Sequence, residues 1–165
     1  MRREEFSDLK NYIYGSTAAI ITDISLIVGM GSAGTSKGPI LCGLLTIALA
    51  DNISDSLSIQ MYQEADGVVK RLSWQTTALN FLARVLVCLS FAAVVLIFSV
   101  AHAIPVAVVW GILLVVLLSY WGTARARMDN RSRALQIGKY LLIAVAVMVA
   151  SRYVGILIAA HFPPT

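Results

Sequence analysis

A chain of 165 residues that is 58% hydrophobic and only 13% charged, with a mean hydropathy of +0.78, is not an ordinary soluble domain, where about a quarter of residues carry charge. The length admits at most about five or six membrane-crossing helices of about 20 residues each. The net charge of +4 does not indicate nucleic acid, because the basic residues fall between apolar runs, where they determine topology. The expected class is an all-α integral membrane protein with five transmembrane helices in a single domain covering residues 1–165.

Residues 1–10 form a polar helical lead-in, with Phe6 and Leu9 placed to lie on the membrane surface. Met1-Arg2-Arg3-Glu4-Glu5 is followed by a stretch too polar for a signal-peptide core, so no cleavable leader is expected. The first span is predicted over residues 11–30, with Tyr12 and Tyr14 at the interface and with Ser16, Thr17, Thr22, Asp23 and Ser25 inside it. A glycine-rich connection, Gly29 to Gly38, leads to Pro39, which opens the second span over residues 39–60. That helix continues past the bilayer towards Asp66, and Gly67 stops it.

The third span is predicted over residues 74–100, with Asn80 and Arg84 near its entrance. His102 and Pro105 mark the next turn, and the fourth span covers residues 104–122, ending in Tyr120-Trp121. The fifth covers residues 134–160, with Lys139 at its start and Arg152 well inside. Cys42 and Cys88 both lie in apolar runs and read as buried small hydrophobes rather than a disulfide or metal pair.

An odd number of spans puts the termini on opposite sides. One side collects Arg2, Arg3, Lys10, Lys70, Arg71, Arg125, Arg127, Arg131, Arg133 and Lys139, and the other has only Lys37. The positive-inside rule then makes the N-terminus cytoplasmic and places the C-terminus outside the cytosol.

The chemistry concentrates in Leu49-Ala50-Asp51-Asn52-Ile53-Ser54-Asp55-Ser56-Leu57-Ser58-Ile59-Gln60, which follows an apolar run without a gap. At about 100° per residue, Asp51, Asp55, Ser54 and Ser58 share one arc. Carboxylates at such a depth are expensive and face a bundle interior, a cavity or a bound ion. Asp23 on the first span and Asp51 on the second are expected to form an inner site, with Asp55 and Ser58 leading to the cytosol; Met61 and Glu64 could serve as a cytoplasmic entrance, although a solvated helix end is the simpler reading. Asn52 and Ser54 add neutral oxygens to this metal or proton pathway. Oxygen ligands of this kind suit Mg²⁺, Mn²⁺ and Fe²⁺, and the lack of His or Cys among them argues against zinc and copper(I). The competing reading pairs these aspartates with Arg84 and Arg152 as structural salt bridges. For Arg84 itself, snorkelling to the interface is the simpler expectation. His102 and His161 are expected to be simply exposed.

The turn Gly29-Met30-Gly31-Ser32-Ala33-Gly34 after a polar first span, and the Leu49-Ala50-Asp51-Asn52-Ile53-Ser54-Asp55 stretch followed by Tyr62-Gln63-Glu64, resemble the vacuolar iron transporter family, whose second span carries an Ala-Asp-Gly-Ile-Ser-Met stretch. The resemblance covers essentially the whole chain. It implies export of Fe²⁺ or Mn²⁺ from the cytosol in exchange for protons, and work as a homodimer. The membrane would be the cell membrane of a prokaryote or a vacuolar-type membrane of a eukaryote. The chain departs from the family in three places. The usual first-span aspartate aligns with Ala18-Ala19, the second-span methionine aligns with Asp55, and the long glutamate-rich insert between the second and third spans is missing. A carboxylate in place of a thioether favours harder ions.

Two other classes compete with the transporter. One is a non-transporting membrane interaction or assembly protein whose acidic residues act as interhelical glue. The other is a membrane enzyme, which is not expected because no catalytic arrangement, cofactor site or phosphate-binding loop is present.

Overall fold

The computed structural model of the chain describes residues 2–125 and 129–162, and the side chains of residues 15–124 and 129–162. The side chains of Phe6, Leu9, Tyr12 and Tyr14, and Arg127 as a whole, lie outside the described residues. The described chain is helical throughout: α1 (Arg2–Ser32), α2 (Lys37–Thr46), a π-helical turn (Ile47–Asp51), α3 (Asn52–Ala65), α4 (Lys70–Ile97), α5 (Val100–Arg125) and α6 (Asn130–His161). Because α2, the π turn and α3 run on as one rod, five helical segments are long and apolar enough to cross a membrane.

Apolarity and burial run in opposite senses, as they do where lipid is the solvent. The first span has the lowest mean hydropathy, 1.3, and half of it is buried in protein; the last has a mean hydropathy of 2.3 and is 17% buried. Helix α1 is the central post, touching α2 and α3 on one side and α4, α5 and α6 around the rest. Ser16, Thr17 and Asp23, among its described polar side chains, are tolerated because they face protein. Ile20, Ile24 and Ile27, spaced by four and three residues, form one fully buried stripe. The exposed leucines and valines of α4, α5 and α6 form an apolar outer surface.

The turns have local causes. Gly34 has φ +75° and closes α1, where the Thr35 N–H donates to the Met30 carbonyl at 3.2 Å. Gly67, with φ +78°, ends α3 in the same way through Val68 N–H to the Gln63 carbonyl at 3.0 Å. Lys37 Nζ reaches the Leu96 carbonyl at 3.2 Å and ties the start of α2 to the end of α4. Asp129 caps α6 by accepting from the Ser132 N–H at 3.2 Å. His102 and Pro105, expected to mark a turn, lie instead in the opening turns of α5.

The π turn was not visible in the sequence, and it has a clear structural role. Ile40, Leu44, Ala48, Asn52, Ser56 and Gln60 are all buried, at a strict spacing of four. In a regular α-helix each such step overshoots the turn by about 40°, so the stripe would wander by about 200° between residues 40 and 60. One π turn takes up an extra residue mid-way and brings the second half of the stripe back towards α4.

Candidate functional site

The stripe changes character at the π turn. Before it, Ile40 and Leu44 pack into the apolar core; after it, Asn52, Ser56, Gln60 and Gln63 are buried. Helix α4 answers with Ser73, Thr76, Thr77, Asn80 and Arg84, also buried, so the α3–α4 seam is polar along its length. Ser73 Oγ donates to the Gln60 carbonyl at 3.4 Å and Asn80 Nδ2 donates to Ser56 Oγ at 3.2 Å.

Arg84 is the hub. Its side chain is only 2% exposed. Nε donates to Asn52 Oδ1 at 2.8 Å, and one terminal nitrogen donates to the Gly15 carbonyl of α1 at 3.2 Å. The other meets Asp51 Oδ2 at 3.2 Å and Asp55 Oδ2 at 2.7 Å. One guanidinium therefore holds α1, the π turn and α3 to α4. The snorkelling expectation for Arg84 is overturned, because inward partners on three segments outbid the interface. Gly15 is part of the arrangement: a Cβ at this position would run into Asn80 Oδ1, so only glycine lets α1 bring its carbonyl to Arg84.

Asp51 and Asp55 are 46% and 48% exposed, so their far sides face out of the bundle along the rod's outer surface, beside the exposed Leu49 and Ile53. Asp23 is different. It is fully buried in the core beside Cys88, and Arg84 and Asp51 are the charges that act on it. Among the described residues no N–H or O–H donor reaches either of its carboxylate oxygens, and the Cys88 thiol is its one polar neighbour. The Cys88 thiol donates to the Leu44 carbonyl at 3.0 Å.

The other sequence candidates divide. Asn52 joins the hub. Ser54 and Ser58 do not: each is exposed and donates back to the carbonyl four residues earlier, Ala50 and Ser54, at 2.8 and 2.9 Å. Met61 is 73% exposed, and Glu64 accepts from Gln60 Nε2 at 3.0 Å. The single arc expected for Asp51, Asp55, Ser54 and Ser58 is therefore split, with the aspartates on the flank of the buried stripe and the serines outside it. Cys42, expected to be buried, is exposed, whereas Cys88 is buried. Arg152 does not join the aspartates; it lines a separate groove between α1, α5 and α6. His102 and His161 are exposed as expected.

Sequence reasoning missed Gly15, Ser56 and Asn80 and misread Arg84. A signal was available: Ser73, Thr76, Thr77, Asn80 and Arg84 repeat at helical spacing inside an otherwise apolar helix, and Asn52, Ser56, Gln60 and Gln63 repeat likewise. Among the described residues, no three His, Cys, Asp or Glu side chains converge as a group that could hold a metal.

The fold defines a class, a helical bundle with five segments long and apolar enough to cross a membrane and a charged centre between them. Comparison with protein-family models, curated proteins and solved structures gives no match. The resemblance to vacuolar iron transporters rests on the residues quoted above.

Proposed function

We propose that this chain exports a divalent cation of the Fe²⁺ or Mn²⁺ type from the cytosol in exchange for protons, with its N-terminus cytoplasmic and a second copy of the chain completing the pathway. The observation that carries this reading is a charge deficit. Asp23, Asp51 and Asp55 share one buried cation, Arg84. Fully ionised, the group lacks two positive charges, the charge of one divalent cation or of two protons. Carboxylates at membrane depth are costly unless neutralised, so alternate loading by a cation and by protons keeps the centre neutral at each stage. Arg84 is the fixed charge in this scheme, and Asp23, with neither oxygen reached by an N–H or O–H donor among the described residues, is the group freest to carry a proton. Gln60 Oε1, Gln63 Oε1 and Asn80 Oδ1, buried and without partners, offer neutral oxygens along the α3–α4 seam for a cation shedding its water.

The half-exposed Asp51 and Asp55 support the homodimer. Left facing lipid, each would cost about 2.5–3.5 kcal/mol or more; a second copy seated on the α2–α3 rod covers them and brings two such pairs together. The chain would act in a cell membrane or a vacuolar-type membrane, with no enzymatic step.

The test is flux in proteoliposomes with a pH dye inside, run for Mn²⁺, Fe²⁺, Mg²⁺ and Co²⁺. Cation movement with an opposing proton signal, insensitive to an imposed membrane potential and lost in both Asp51→Asn and Asp55→Asn, is the expected outcome. The bridge that one Arg84 nitrogen makes between Asp51 and Asp55 favours a second reading, in which the acidic residues hold the bundle together and nothing is transported. Silence from well-folded wild-type protein, with the two variants altering stability or assembly instead, would establish that reading.

A further inference from the structure

A groove of about 620 Å³ lies between α1, α5 and α6, away from the charged centre. Ser32, Ala101 and Ile156 line one end of it, and Ile112 and Val145 line the other. From Ala101 to Ile112, and from Val145 to Ile156, each wall is about 16 Å long at 1.5 Å per residue. That is close to the depth of one leaflet, half of a hydrocarbon core about 30 Å thick. The groove's upper end is held firmly, because Gly155 of α6 sits against the Gly29 carbonyl of α1. Its walls are apolar apart from Ser32 and Arg152 near that end.

Arg152 is exposed, and no carboxylate, aromatic ring or backbone carbonyl partners it among the described residues. It stands nine residues before His161, about 14 Å down the helix, in a segment with a mean hydropathy of 2.3. A guanidinium at that depth needs an anion, and its planar fork suits phosphate oxygens. We infer that this groove binds a membrane phospholipid, with the phosphate on Arg152 and Ser32 and an acyl chain lying down the trough towards Ile112 and Val145. The occupant is a lipid rather than a free phosphate, because the trough below the cation is apolar and runs about 10 Å from Arg152 to Val145. A protein partner would have to supply an acidic side chain at the same depth.

The experiment is native mass spectrometry of the purified full chain in mild detergent supplied with phosphatidylglycerol. Wild type is expected to retain one lipid per protomer, Arg152→Gln to retain at least tenfold less, and Arg152→Lys to fall between them. Val108→Phe, which thickens the apolar wall, is expected to displace the lipid although Arg152 remains. Excess glycerophosphate is expected to leave the adduct in place. Equal retention by wild type and Arg152→Gln overturns the proposal, as does displacement by glycerophosphate, which would mark a free-phosphate site. Should Arg152→Gln fail to fold, Val108→Phe and the glycerophosphate competition decide the matter. Lipid retained unchanged in Val108→Phe places it elsewhere and overturns the proposal as well.

Discussion

The bundle has two halves that are held together by different physics. Beyond the π turn, towards the α1–α2 and α4–α5 connections, Ile24, Ile27, Leu44, Phe91 and Val95 fill the interior with hydrocarbon. On the other side, Asn52, Ser56, Thr77, Asn80 and Arg84 fill the interior with hydrogen bonds. In lipid the first kind of core gains little from apolarity itself, since the acyl chains outside are equally apolar; shape and close backbone approach do the holding. The second kind is selective, because each polar group has few acceptable partners there. The apolar half is expected to respond to volume, and the polar half to the loss of a particular atom.

Replacing the hub tests the polar half most severely. Arg84→Met leaves Asp51, Asp55 and Asn52 without their donor; the loss is expected to be about 2–4 kcal/mol, below the full range for a buried pair because both carboxylates are half exposed. Thermal unfolding in detergent reads it, and a loss under about 1 kcal/mol would mean that the hub is not what joins α1 to α4. In the apolar half, Gly155→Leu drives a side chain into the Gly29 carbonyl and is expected to cost about 1–3 kcal/mol by overpacking. Gly29→Ala meets the Ser151 carbonyl at 3.3 Å, a tight contact rather than a collision, so its effect should be smaller, and equal losses in the two variants would contradict the volume argument.

A third pair of variants sharpens the contrast by its coupling. Gly15→Ala collides with Asn80 Oδ1, and Asn80→Ala removes both that oxygen and the donor to Ser56. Each is expected to cost about 1–2 kcal/mol alone, and the double variant less than their sum, since the collision vanishes with the asparagine. Additive losses would show that the two sites are independent. The smallest effect belongs to Asp129, outside the spans. Its hydrogen bonds to Ser132 hold its carboxyl below the ordinary value of 3.8, so its contribution is present above about pH 4 and fades as the pH falls through that lowered value. Asp129→Ala should remove the cap at neutral pH, seen as fraying at the start of α6 by amide exchange, and wild type should show the same fraying only in acid.

The spans were legible in the sequence because apolar length has one explanation at this scale. Residues 74–100 and 134–160 differ from α4 and α6 by only a few residues at each end. Asp23, Asp51 and Asp55 stood out for a related reason, since carboxylates in apolar runs are rare. Their partners were not. Arg84 lies 33 residues from Asp51 and nearly as far from Asp55, and no spacing rule reaches that far; its local surroundings fitted a snorkelling side chain just as well. Ser54 and Ser58 were misplaced for another reason. A serine in a helix can satisfy itself on the carbonyl one turn back, so a shared arc with the aspartates did not mean a shared task.

The π turn has one more consequence. The rod that carries it behaves like a vernier with a single extra division: upstream and downstream markings agree with α4 only because one residue is absorbed between them. Winding Ile47–Asp51 as an ordinary α-helix with all its residues kept would turn everything after it by about 100°. Asn52, Ser56 and Gln60 would swing out to the exposed side where Ile53 and Leu57 now lie, and Asp55 and Ile59 would take their places in the α4 seam. A deletion of one apolar residue from the turn would, by contrast, leave an ordinary helix with the charged centre in place, because the π turn already absorbs that residue.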